Sequence, residues 1–111
     1  LLNGPLFDRL RPDATFINTG RGTQVVEEEL IAALKRRSDV TALLDVTSPE
    51  PPTADSAFYA LPNVQLSSHI AGSMNDEVVR MADYMIEEFK RWERGEALHY
   101  QVSAAMLETM A

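Results

Sequence analysis

The sequence contains no cysteine, which removes disulfide staples, thiolate nucleophiles and sulfur-ligated zinc, and is compatible with a reducing compartment. Basic residues are scarce: ten Lys and Arg stand against seventeen Asp and Glu, for a net charge of -7. The ten are spread along the chain, so there is no clustered basic surface for a phosphate backbone, and no nucleic-acid partner is expected. No apolar run reaches the roughly 18 residues of a membrane span, and the first residues lack the basic-then-apolar order of a secretory signal. No membrane association is therefore expected, and the cytoplasm is the default compartment. Internal repeats and low-complexity segments are absent too. The chain opens at Leu1, within the helix-like "LLNGPLFDRL", and the expectation is that it is a piece of a longer protein.

What is present is ordinary for a globular domain: 45% apolar and 24% charged residues over 111 positions, enough for one core. A short helical candidate at Gly4–Leu10 leads into the turn "RPDA" (Arg11–Ala14) and then "TFIN", a short strand. Over Val25–Arg37, the apolar residues Val26, Leu30, Ala33 and Leu34 recur at helical spacing, with Glu27–Glu29 early and Lys35–Arg37 late, as a helix dipole favours. "VTALLDV" (Val40–Val46) has no polar alternation and reads as a strand buried on both faces of a parallel sheet. Together these make a βαβ unit.

Residues Thr47–Pro62, rich in proline, read as a long loop with one helical turn near Ala57–Leu61, and "NVQLSSH" (Asn63–His69) gives a third strand. Val78, Met81, Ala82, Met85, Phe89 and Trp92 then mark an amphipathic helix from Ser73, its expected N-cap, to a stop at Gly95. The Met and aromatic stripe is expected to be packing, and Glu27–Glu29 and Glu87–Glu88 solvated helix faces. The tail is expected to add a short helix. The class is α/β with at least three strands.

In an open parallel sheet, ligands bind outside the carboxyl ends of the strands. The first strand runs into Arg21, the second into Asp45 and then Glu50, and the third into His69. A guanidinium fork can hold a carboxylate, and an imidazole beside a carboxylate can move a proton. There is no metal set, and Ser67 and Ser68 are too close to His69 along one strand for a Ser/His/Asp arrangement. Read singly, Arg21 would be a solvated turn residue, Glu50 a loop carboxylate, Asp45 a capping residue and His69 a hydrogen-bonded edge histidine. His99 is read in that ordinary way.

Three segments act together, however. "INTGRG" (17–22), "LLDVTSPEPP" (43–52) and "SSHIAGS" (67–73) resemble, in order and spacing, the signatures of the D-isomer-specific 2-hydroxyacid dehydrogenases, and the resemblance runs over essentially the whole chain. It implies the parallel-sheet half of a Rossmann-like NAD-binding domain with flanking helices in residues 1–94, and a tail at 95–111 that returns toward a substrate domain. It also implies NAD or NADP as cofactor, a small 2-oxo or 2-hydroxy acid as substrate and a homodimer for the full-length protein. Residue by residue, Arg21 would anchor the substrate carboxylate and carbonyl, His69 would give and take the proton, and Glu50 would orient His69. Asp45, with backbone groups near Thr19 and Ala71, would meet the nicotinamide carboxamide. Glu50 favours hydroxy-acid chemistry, because formate dehydrogenases of this superfamily carry Gln at that place.

Such dehydrogenases hold the pyrophosphate on a glycine-rich turn opening a helix. Gly20-Arg21-Gly22 does not supply it, since Val25 stands where the third glycine would be. Residues 1–111 alone are therefore expected to be inactive and to associate through uncovered surface. An alternative with the same residues is an NAD(H)-binding, corepressor-like interaction module without turnover.

Overall fold

The computed structural model describes residues 1–109. Contacts divide the chain into two compact units, Leu1–Ala71 and Gly72–Ala111.

The first unit is built on a three-stranded parallel sheet in the order β1 (Thr15–Asn18), β2 (Thr41–Leu44), β3 (Val64–Leu66). Thr15 to Asn18 pair with Thr41 to Leu44, and Ala42 to Leu44 pair with Val64 to Leu66. Helix α1 (Gly4–Phe7) precedes β1, and α2 (Glu27–Arg36) makes the crossover to β2. Between β2 and β3 the loop contains one 3-10 turn, Ala57–Tyr59, where Ser56 Oγ accepts from Phe58 N–H. The fold is thus a fragment of a Rossmann-like domain, as expected.

Helix α2 begins two residues later than its periodicity predicts. Val25 is extended and bridges to Leu2, so its backbone is unavailable to a helix. From Glu27 onward the helix is amphipathic, burying Leu30, Ala33 and Leu34 at the i, i+3, i+4 spacing of one face. These pack with Phe7, Val25, Val40, Ala42, Leu44 and Phe58 into one core. Asn63 closes the far end of α2: its Nδ2 donates to the carbonyls of Leu34, Arg37 and Val40 at 3.1, 3.2 and 2.8 Å. Leu34 O is one of the acceptors that a helix terminus leaves behind, whereas Arg37 is the C-cap and Val40 leads into β2, so these bonds tie the end of the helix to the start of the strand.

The expectation that β2 is buried on both faces is corrected. Ala42 and Leu44 are buried, whereas Thr41 and Leu43 are only half-buried and Ile17 on β1 is 60% exposed. The core residues of α1, α2 and the Ala57–Tyr59 turn all gather with Ala42 and Leu44, leaving the other face of the sheet partly open.

The second unit consists of α3 (Asp76–Glu93), a turn and α4 (Ala104–Leu107). Gly95 stops α3 as predicted. At φ +68° it lets its N–H reach Trp92 O and the next N–H, of Glu96, reach Arg91 O, the paired bonds of a Schellman motif. The N-cap, however, is Asn75 and not Ser73.

Glu88 is not simply solvated, because its carboxylate accepts from His99 N–H and Tyr100 N–H at 3.1 and 3.0 Å and folds the tail back onto the helix. The stripe of Val78, Met81, Met85, Phe89 and Trp92 is more than half exposed throughout, and α3 buries no residue. Its packing role is therefore not fulfilled among the described residues; the unit has too little other structure to cover an 18-residue helix.

Candidate active site

Three loops leave the carboxyl ends of β1, β2 and β3, all within the first unit. The loop after β1 is shaped by the buried Asn18. Its Oδ1 accepts from Gly20 N–H at 3.1 Å and its Nδ2 donates to Arg21 O at 3.2 Å, the local side-chain bonding by which Asn shapes turns. Arg21 N–H donates to Gln24 Oε1.

Gly22 is buried, and the reason for glycine is steric. A β-carbon there would stand 2.1 Å from both the carbonyl carbon and the oxygen of Thr47, so the first loop lies directly against the second. Gly20 is different, because its β-carbon would meet mainly the movable end of Gln24. The Arg21 side chain is exposed and donates to Gly20 O at 2.8 Å. It has no ion-pair partner among the described residues.

In the second loop Asp45 and Thr47 are buried. Thr47 Oγ1 donates to Pro49 O at 2.9 Å, and Ser48 N–H donates to Glu27 Oε1 at 2.6 Å. The Ser48-Pro49 and Glu50-Pro51 peptide bonds are cis.

Asp45 organises the third loop. Its Oδ1 accepts from Ser67 Oγ at 2.5 Å and Ile70 N–H at 2.9 Å, and its Oδ2 from Ala71 N–H at 2.9 Å. The Ser67 hydroxyl and then the Ala71 and Ile70 amides hold its carboxyl below the usual carboxylate range, with desolvation opposing and the charge of His69 assisting. Between these anchors His69 takes φ +54°, a left-handed conformation costing a residue with a β-carbon roughly 1–2 kcal/mol. The bond from its own N–H to Asp45 O, at 3.1 Å, helps to enforce it. Strain of this kind survives where the surroundings over-determine it, and it gathers at functional sites.

The result is a close pair: His69 Nδ1 lies 2.6 Å from Glu50 Oε1, with both side chains partly exposed. A carboxylate can only accept, so Nδ1 carries the proton. Nε2 is then the nitrogen left for a ligand, an acceptor in the neutral ring and a donor in the imidazolium. Beside the pair opens a cavity of about 700 Å³ whose wall includes Asp45, Thr47, Glu50, Tyr59, Ser67 and His69. The structure thus brings together Asp45, Glu50 and His69. Arg21, Thr19 and Ala71 lie outside the cavity wall, although the Ala71 N–H is bonded to Asp45.

Several contributors were not legible in the sequence. Glu27, expected on a solvated helix face, holds the second loop. Ser67 forms no catalytic triad but bonds Asp45. Tyr59, whose hydroxyl donates to Pro52 O at 3.3 Å, lines the cavity. No one-dimensional signal marked them, since each acts through a partner that only the fold brings near.

Comparison with known proteins accords with this geometry. The sequence pattern of the family described as D-isomer specific 2-hydroxyacid dehydrogenase, NAD binding domain, matches residues 1–71. Glyoxylate/hydroxypyruvate reductase A of Klebsiella pneumoniae is 35% identical over 102 residues, covering 92% of this chain and 32% of the reductase. The chain therefore spans about a third of that relative's length.

Among solved structures, a D-isomer specific 2-hydroxyacid dehydrogenase from Xanthobacter autotrophicus Py2, in complex with NADPH and MES, matches with a TM-score of 0.77 and 35% identity. The match covers 93% of this chain and 42% of that one. An NADPH-dependent glyoxylate/hydroxypyruvate reductase from Sinorhizobium meliloti, in complex with NADP and sulfate, matches with a TM-score of 0.76 and 30% identity, over 92% of this chain and 33% of that one. With the pattern matched across the whole sheet and all three of its loops, the chain belongs to the D-isomer specific 2-hydroxyacid dehydrogenase family, as part of its NAD-binding domain.

Proposed function

We propose that the protein carrying these residues is an NAD(P)-dependent D-2-hydroxyacid dehydrogenase acting on a small 2-oxo or 2-hydroxy acid. The observation that carries the reading is the His69–Glu50 pair, 2.6 Å apart, at the carboxyl ends of parallel strands, where α/β sheets bind ligands.

The residues present fit the nicotinamide end of the cofactor. Asp45 receives three hydrogen bonds of about four that a carboxylate can accept, so one acceptor direction on Oδ2 remains for a carboxamide N–H. The Ala71 N–H is occupied by Asp45, which leaves its carbonyl to face a ligand, and Thr19 stands exposed at the end of β1. When bound, the nicotinamide supplies or receives the hydride.

The remaining steps belong to the chain. Arg21, which uses one side-chain bond on Gly20 O out of five N–H donors, holds the substrate carboxylate and carbonyl. In reduction, His69 Nε2 delivers a proton to the ketone oxygen; in oxidation it takes the proton from the hydroxyl. Glu50 fixes the tautomer and stabilises the imidazolium between the two. The relatives named for glyoxylate and hydroxypyruvate support testing those acids first.

The same reading assigns residues 1–94 to the second half of the NAD-binding domain and 95–111 to a tail returning toward a substrate domain. It places a homodimer in the cytoplasm. No helix of the described residues is long and apolar enough to cross a membrane.

The test is reduction of glyoxylate, hydroxypyruvate and pyruvate by the full-length protein with NADH and NADPH. His69→Ala is expected to lower the rate by about 10²- to 10⁴-fold, the usual contribution of a positioned acid–base group. An unchanged rate in that variant would refute the assignment.

A further inference from the structure

Glu50 can serve His69 only if the loop that carries it stays put, and two contacts with the segment after β1 fix that loop. The first is the bare Cα of Gly22 against the Thr47 backbone. The second is the bond from Ser48 N–H to Glu27 Oε1 at 2.6 Å. Thr47 Oγ1 then bonds Pro49 O at 2.9 Å, stiffening the link between the anchored residues and Glu50. Glu27 opens α2, a rigid element packed into the core through Leu30, Ala33 and Leu34, so its carboxylate is a fixed point from which to hold a loop.

We propose that Glu27 is a positioning residue for the proton-transfer pair: by clamping Ser48 to the start of α2, it sets where the Glu50 carboxylate meets His69. The proposal rests on the reading of His69 and Glu50 as that pair. A bond from a backbone N–H to a carboxylate is charge-assisted and about twice as strong as a neutral one. Burial pushes the Glu27 carboxyl above the usual carboxylate range while the Ser48 bond pulls it back. This carboxylate is half-buried and spends one oxygen on a specific contact. Its neighbour Glu28 is exposed and accepts no hydrogen bond among the described residues, which makes it the natural control.

The test compares Glu27→Ala, Glu27→Gln and Glu28→Ala in the full-length protein, with glyoxylate and NADPH as substrates and amide hydrogen exchange at Ser48 as a second readout. Glu27→Ala is expected to lower kcat by about 10- to 100-fold, since misplacing a reacting group by near 1 Å can cost about 10²-fold, with KM values changed by no more than about twofold. Its Ser48 amide should exchange faster. Glu27→Gln keeps an acceptor oxygen and should recover most of both, and Glu28→Ala should match the wild type. Should Glu27→Ala fail to fold, Glu27→Asp, with its carboxylate drawn back by one methylene, gives the same comparison.

An undiminished kcat in Glu27→Ala, in a protein that His69→Ala inactivates, overturns this inference alone. So does Ser48 exchange that is indifferent to residue 27. A wild-type protein that reduces no 2-oxo acid overturns the functional reading, and the positioning role with it.

Discussion

Replacing Gly22 by alanine tests the join between the first two site loops. The new β-carbon would lie 2.1 Å from the carbonyl carbon and oxygen of Thr47 and 2.7 Å from Ser48 N, where ordinary contact begins at 3.4 Å. The two loops must therefore part by about 1.3 Å, and the obstacle is backbone, which cannot rotate aside. Overpacking of this kind costs about 1–3 kcal/mol. For a domain of this size each kcal/mol lowers Tm by roughly 4–8 °C, so at about 2 kcal/mol a fall of about 8–16 °C is expected.

The same displacement separates Arg21 from Glu50, and a misplacement near 1 Å can cost about 10²-fold in rate. Gly20→Ala is the matched control, because its β-carbon meets the Gln24 side chain at 2.7 Å, and that side chain can swing away. Losing the Arg21–Gln24 bond costs about 0.5–1.5 kcal/mol, and the stiffer unfolded chain returns about 0.4–1 kcal/mol. Thermal unfolding followed by circular dichroism reads both variants. A Gly22→Ala protein melting with the wild type, or a Gly20→Ala protein falling as far as Gly22→Ala, would refute the close approach.

Asn63→Ala removes a donor shared by three carbonyls between the end of α2 and the start of β2 and is expected to destabilise by about 1–3 kcal/mol in urea unfolding; a loss under about 0.5 kcal/mol would argue against this tie. Hydrogen bonds from Arg37 hold the Asp39 carboxyl down to about 2, from a usual 3.8. Because the folded value lies below the unfolded one, the stability that Asp39 contributes is complete above about pH 4 and disappears as pH falls toward 2. Asp39→Asn should therefore lower Tm at pH 7 and by much less at pH 2, where the folded carboxylate is already partly protonated, and an equal loss at both values would contradict the assignment. Residues 1–111 alone should bind no NADH at micromolar concentration, since their glycine turn lacks the third glycine; saturable heat in calorimetry would count against this.

The helices and strands were legible because each is a local pattern. The i, i+3, i+4 repeat of Leu30, Ala33 and Leu34 predicted the buried face of α2, and the continuous apolar run at Val40–Val46 located the central strand. Glu50 and His69 follow strands, which made them candidates, but their roles came from the resemblance; the parallel register brings the ends of β2 and β3 side by side, and the loop after β2 carries Glu50 the rest of the way to His69. What escaped were effects that depend on partners distant in sequence. An apolar run records that a strand wants cover but not whether one face of the sheet or both receive it, hence the exposed Ile17. The stripe on α3 likewise records an apolar face and not what lies against it. Glu27 and Glu88 looked like any surface acids, because their partners are main-chain amides that leave no mark in the sequence.

The three site loops are held chiefly through backbone groups: Asn18 binds Gly20 N–H and Arg21 O, Glu27 binds Ser48 N–H, and Asp45 binds Ile70 N–H and Ala71 N–H. The side chains of Ser48 and Ile70 are thereby released from any duty in holding the loops, although Ile70 still lines the cavity. Proline is the exception, because it removes the amide that each anchor grips. The loops are thus open to redesign of their surfaces at these positions, and closed to one amino acid.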